Sequence, residues 1–237
     1  MSILKPKRFW KEATPEPVEN GWQVALDGRS VRTPAKRLMV LPSLRLAQAV
    51  SSEWDAQEDE IDPSLMPFTR MSNSALDKVA VQHDAVAEML AEYGGSDLLC
   101  YRATHPQELI SRQADAWDPV LDWAAQNLGV RLQVVSGVMP MAQSEAVLDR
   151  MQKLVKDLDD FQLAAFHDLV CMSGSLILGF AAVRNYCDIE QIWQVSQLDE
   201  TWQTEQWGVD EEAAAKAEHK RQEFLHAKRF FDLSATT

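Results

Sequence analysis

The chain has 237 residues, is 46% hydrophobic, and carries 36 Asp and Glu against 23 Lys and Arg, a net charge of -13. That apolar fraction supports a sizeable core and excludes a wholly disordered chain, while the negative field repels phosphate backbones and anionic lipid, so neither nucleic acid nor membrane is an expected partner. Three cysteines, Cys100, Cys171 and Cys187, none in a Cys-x-x-Cys pair, argue against a disulfide framework and a structural zinc site.

Met1 to Trp10 contain basic residues but neither an apolar secretory stretch nor an Arg- and Ser-rich transit segment. The expected home is a bacterial cytoplasm or, for a processed protein, the mitochondrial matrix. Phe9 and Trp10 are expected on a first strand, before a loop at Pro15 and Pro17. Trp22, Val24 and Leu26 alternate with Gln23 and Ala25, the period of a half-buried strand. Asp27-Gly28 then reads as a hairpin turn, with return strands at Ser30 to Thr33 and Leu38 to Leu41.

From Ser43 the period changes. Ser43 is placed to cap a helix carrying Leu46, Val50 and Trp54 on one face. Pro63 and Pro67 mark a boundary, giving an expected β-rich domain over 1–66 and a helical domain over 67–237. The spacing predicts one helix from Thr69 to Tyr93, stopped by Gly94-Gly95. Another starts at Thr104 and Pro106, and a short one at Asp118-Pro119 ends at Gly129. Arg131 to Val135 is a late strand candidate. Helices follow from about Ser144 to Leu158, Phe161 to Val183, Asp188 to Gly208, and Asp210 towards Leu233. The uncharged run Leu169 to Val183 falls short of the roughly 20 apolar residues of a spanning helix. Strands first and helices after predict an α+β fold: a small N-terminal antiparallel β-rich domain followed by a larger all-helical C-terminal domain.

Catalytic motifs are scarce: there is no GxGxxG, Walker loop, HExxH or nucleophile elbow. Accordingly no metal, nucleotide or other cofactor and no small-molecule substrate is expected. Gly174-Ser175 reads as a close-packing point inside an apolar helix. His167 and Cys171, four apart, have the spacing of a thiol-imidazole pair, with a helix core as the expected setting. Two acidic blocks stand out as binding candidates. Glu53, Asp55, Glu58, Asp59, Glu60 and Asp62 form a run without Lys or Arg, with Trp54 inside it. In Leu198 to Gly208, Glu200, Gln203 and Trp207 share one helical face, and Asp199 and Trp202 another.

These blocks carry a family resemblance. Val24-Ala25-Leu26-Asp27-Gly28-Arg29, Thr33-Pro34-Ala35-Lys36, Glu53-Trp54-Asp55-Ala56-Gln57, Met66-Pro67, Asp97-Leu98-Leu99-Cys100-Tyr101-Arg102, Trp117-Asp118-Pro119, Ser173-Gly174-Ser175-Leu176, and Glu200 with Gln203 and Trp207-Gly208 occur in an ordered series. The chain resembles the ATP synthase alpha-subunit assembly chaperones of mitochondria and related bacteria, often called the Atp-twelve family. The resemblance implies a protein that binds the unassembled alpha subunit of the F-type ATP synthase, shields its subunit interface, and hands it to the beta subunit. It implies no enzymatic cycle. The expected partner-binding residues are Asp199, Glu200, Trp202, Gln203 and Trp207, with Glu53, Trp54 and Asp55. The competing expectation is an enzyme using carboxylates of the Glu53-Asp55 helix with Tyr101 or Arg102.

Overall fold

The computed structural model describes residues 7–137, 139 and 141–236. Three antiparallel strands come first, in the order β1-β2-β3: β1 (Ala13–Val18), β2 (Gly21–Leu26) and β3 (Arg29–Ser30). The β2–β3 turn holds Asp27 at φ 46° and Gly28 at φ 80°, two successive left-handed residues of a tight hairpin. A Cβ on Gly28 would meet nothing within 4 Å, so the demand there is conformational rather than steric. Gly28→Val should cost about 1–2 kcal/mol, read as a lowered melting temperature. An unchanged melt would mean that this backbone tolerates a β-branched residue.

Several expected strand limits move. Pro15 and Pro17 lie inside β1, opposite Val24 and Trp22. β1 is an edge strand, and prolines at alternate positions turn their missing N–H groups away from β2. Phe9 and Trp10 precede β1 without strand pairing. The two return strands shrink to β3 and to single bridges joining Arg32 with Leu38 and Trp22 with Leu41. The chain is diverted between them by a turn in which Lys36 N donates to Thr33 O and Thr33 N donates to Arg37 O.

Ser43 caps α1 (Leu44–Asp55), its hydroxyl accepting from Leu46 N at 3.1 Å. α1 packs on β1 and β2 and buries Leu46, Ala47 and Val50 with Val24, Ala25 and Leu26. The stretch expected as one helix to Tyr93 is α2 (Pro67–Asp77), a turn at Val79–Val81, α3 (His83–Ala91), and a last turn at Glu92–Gly95.

Met1–His83, Asp159–Ala165 and Arg229–Thr237, as far as they are described, make one compact unit; Asp84–Leu158 and Phe166–Lys228 make another. The first unit therefore continues past the expected boundary at residue 66. Two contacts explain this. The Glu53 carboxylate accepts from Phe68 N and Thr69 N at 2.6 and 2.7 Å. The Phe230 ring stacks with Phe68 and with Phe161, at 6.5 and 6.3 Å between centroids.

The second unit holds α4 (Gln107–Asn127), α5 (Glu145–Lys156), α7 (Leu176–Val183), α8 (Ile189–Ser196), α9 (Leu198–Trp207), and most of α6 (Asp160–Ser173) and α10 (Glu211–Ser234). It is not wholly helical: β4 (Tyr101–Arg102) and β5 (Val135–Ser136) pair in parallel. Pro119 does not start a helix but sits inside α4. Trp117, Val120, Leu121 and Ala124 are buried on both sides of it, and this packing offsets the lost backbone hydrogen bond. Trp117 is fully buried, with its indole N–H donating to Val195 O at 3.0 Å. The expected helix over 161–183 is two helices. Gly174, at φ 69°, ends α6, and Ser175 caps α7 by accepting from Leu178 N at 3.0 Å. The expected helix over 188–208 divides at Gln197 into α8 and α9. Among the described residues, no helix is long and apolar enough to cross a membrane.

Candidate functional site

α9 starts after Gln197 with Asp199 and Glu200 in its first turn, where carboxylates complement the helix dipole. It ends at Gly208, φ 92°, and only Leu198 is buried. Polar contacts therefore hold it rather than a broad apolar face. On one side Gln113 Nε2 donates to Asp199 Oδ1 at 2.7 Å. Arg112 grips the Glu205 carboxylate with two bonds, at 2.5 and 2.8 Å. The same guanidinium lies 5.9 Å from the centroid of the Trp202 ring. Glu205 holds the Arg112 guanidinium above its ordinary pKa, and Arg112 holds the Glu205 carboxyl below the usual carboxylate range.

Glu200, Gln203 and Trp207 are exposed. Among the described residues, none of the three side chains has a hydrogen-bond or ion-pair partner within the chain. The two faces expected from the spacing are thus separated: Asp199 and Trp202 dock on α4, and Glu200, Gln203 and Trp207 are free. Trp207 is 88% exposed and Val209, two residues on, 69%. Asp210 follows, its carboxylate accepting from Glu212 N and Ala213 N at the start of α10. Glu211 and Glu212 are exposed as well, so the two apolar side chains sit within an acidic stretch. Val209 is a residue the sequence reading passed over; its signal is a lone aliphatic between Gly208 and three acids.

The Glu53-Trp54-Asp55 block behaves differently. Glu53 accepts from Phe68 N, Thr69 N and the Thr69 hydroxyl. Burial pushes its carboxyl up in pKa, opposed by those same donors. Asp55 accepts from Ala13 N at 2.8 Å and lies 3.8 Å from Arg8. The Trp54 ring meets Trp10 edge to face at 5.2 Å. All three are tied into the first unit's own structure. Arg102 is engaged too: Nε donates to Leu99 O at 3.0 Å, a terminal nitrogen to Asp118 Oδ1 at 2.7 Å, and the guanidinium lies 5.2 Å from the Trp117 ring centroid. Tyr101 is half-buried beside it on β4.

Among the described residues, no group of three or more His, Cys, Asp or Glu is arranged to hold a metal ion. His167 and Cys171 are not in a core. Cys171 is exposed and His167 is 40% exposed at its side chain, because the buried side chains of this part of α6, Phe166, Leu169 and Val170, lie on its other face.

The family described as ATP12 chaperone protein matches residues 7–125. The crystal structure of Atp12 from Paracoccus denitrificans is 46% identical, with a TM-score of 0.94, over 97% of this chain and 98% of that one. A mutant of that protein matches with a TM-score of 0.95 at 45% identity, over 97% and 98% of the two chains. The mitochondrial protein atp12 of Schizosaccharomyces pombe is 26% identical over 87% of this chain and 75% of its own length.

Proposed function

The chain belongs to the ATP12 chaperone protein family, and from that premise we propose that it captures the unassembled alpha subunit of an F-type ATP synthase through the free face of α9. The observation that carries this reading is Trp207, an indole 88% exposed, two residues before an exposed Val209 and within an acidic stretch of the chain. A large ring left in water is typical of an anchor for a partner's pocket. Gln203 and Glu200, one and two turns before it on the same face, supply unpaired acceptors and donors for direction. The surrounding carboxylates favour a client surface with basic groups near its apolar contact.

An unassembled alpha subunit exposes apolar area meant for its neighbour, and such area invites wrong association. Covering it and then yielding it to the beta subunit needs only competing affinities, with no nucleotide cycle. The place of action is a bacterial cytoplasm or a mitochondrial matrix. We read the chain as a binding protein rather than an enzyme. Glu53, Asp55 and Arg102, the acids and cation of the catalytic alternative, are each engaged in bonds within their own unit.

The test is capture of purified alpha subunit by tagged chain, beside a thermal melt. Trp207→Ala and Glu200→Lys should each change stability by less than about 0.5 kcal/mol, since neither side chain is packed. Each should lower capture at least about tenfold, because the first removes an anchor and the second sets a cation where the client's basic groups approach. Normal melting with full capture would remove α9 from the client surface.

A further inference from the structure

Cys171 stands in a cluster of titratable groups that the client surface does not use. It lies one turn after His167 on α6, and its sulfur is 3.6 Å from His167 Nε2. The other ring nitrogen, Nδ1, donates to Asp168 Oδ1 at 2.9 Å, which fixes the ring with Nε2 towards the sulfur. From the turn after α3, the Tyr93 hydroxyl donates to the same sulfur at 3.6 Å. The sulfur thus faces the Tyr93 hydroxyl and an imidazole nitrogen, and Cys171 remains exposed to solvent. An accessible thiol beside a histidine oriented by a carboxylate is the arrangement that favours thiolate with imidazolium over the neutral pair.

The charges agree with that geometry. The Asp168 carboxylate, and then Cys171, hold His167 well above its ordinary range, at about 10. Burial alone would raise the Cys171 thiol, but the hydrogen bonds from His167 and Tyr93 outweigh it and bring the thiol below its usual value. The other two cysteines contrast with it. Burial pushes Cys187 up, and pushes the buried Cys100 up to about 12.

We propose that Cys171 is a modification site, a thiolate held by His167, Asp168 and Tyr93 that exchanges with small disulfides such as glutathione disulfide. The Cys171 sulfur attacks one sulfur of the small disulfide. A new S–S bond forms to Cys171, the old S–S bond breaks, and the leaving thiolate takes the proton from His167. Cys171 is oxidised to the mixed disulfide, and the released half is reduced to a free thiol.

The experiment uses the reduced full-length chain. Iodoacetamide labelling is followed peptide by peptide from pH 5 to 9, and separately the chain is incubated with glutathione disulfide and its adduct located by mass spectrometry. At pH 6.5 Cys171 should label at least about tenfold faster than Cys187, with its half-maximal rate below the ordinary thiol value of about 8.5. Glutathione disulfide should give one adduct, on Cys171, absent in Cys171→Ser. His167→Gln should slow Cys171 labelling at pH 6.5 about tenfold and return its profile to the ordinary thiol range. Equal labelling of Cys171 and Cys187 in the wild-type chain overturns the proposal whatever the variants do. So does a first adduct on Cys187, or an unchanged Cys171 profile in a folded His167→Gln.

Discussion

Replacing Asp97 with alanine should remove about 3–5 kcal/mol of stability, a large share of a typical domain's margin of about 5–15 kcal/mol. The carboxylate is fully buried. Its Oδ1 accepts from Leu99 N at 3.0 Å and from the Ser175 hydroxyl at 2.7 Å, and its Oδ2 accepts from Ile177 N at 3.1 Å. It therefore serves the turn after its own position and the first turn of α7 at once. Alanine leaves three buried donors without their acceptor, and each such donor costs about 1–3 kcal/mol. Asparagine keeps the shape but turns an amide N–H towards one of the donors, so it should lose less.

Both variants also lose a pH dependence that the wild-type carboxyl confers. Burial is the larger influence on the Asp97 carboxyl and pushes its pKa up to about 6, against the pull of the Ile177, Ser175 and Leu99 donors. The folded value lies above the unfolded value of about 3.9. The stability this group contributes is therefore fully present below about pH 4 and declines as the pH rises through 6. Denaturant melts of wild type and Asp97→Asn should show the wild-type advantage narrowing from pH 4.5 to pH 7. A constant difference across that range would mean that the folded carboxyl titrates in the ordinary range. A melt of Asp97→Ala within 1 kcal/mol of wild type would remove Asp97 from the fold's supports.

The same aspartate explains a break that sequence pattern misses. Apolar residues run from Leu169 to Met172 and, broken only by Gly179, from Leu176 to Val183, so periodicity alone continues one helix through Gly174-Ser175. The break is completed by Asp97, far upstream, whose carboxylate receives the Ile177 N–H of α7 and the hydroxyl of the capping Ser175. Signals that are local in the chain are legible: Ser43, Ser144 and Asp188 each cap the helix that follows, and Asp27-Gly28 makes its turn. Pro119 shows the reverse case, in which packing around Trp117 overrides a local signal for a new helix start.

The candidate surface divides along the same line. That Glu200, Gln203 and Trp207 share a face of α9 follows from helical spacing. Which face is free does not, because it depends on Arg112 and Gln113 of α4 reaching Glu205 and Asp199. The acids of the EWD block are equally charged on paper, yet Ala13 N and the first turn of α2 draw Asp55 and Glu53 into internal bonds. A carboxylate's sequence neighbours do not reveal that a distant backbone donor will take it.

Glu53 is where these two roles can be told apart by experiment. Met66, which precedes α2, offers no side-chain cap, and the first N–H groups of a helix need acceptors. Glu53 supplies them from α1: Oε1 accepts from Phe68 N at 2.6 Å, and Oε2 accepts from Thr69 N and the Thr69 hydroxyl, both at 2.7 Å. These bonds lock α2, which buries Phe68, Met71 and Ala75, to α1. Glu53→Ala removes a cap and three charge-assisted bonds at a half-buried site, an expected loss of about 2–4 kcal/mol. Glu53→Gln keeps one good acceptor and should lose roughly half as much. The measurement is a urea melt of each variant, with alpha-subunit capture assayed well below its melting temperature. A large shift in the melt with capture retained assigns Glu53 to the fold. A wild-type melt with capture lost would instead place Glu53 on the client surface, and the α2 cap would then have to lie elsewhere.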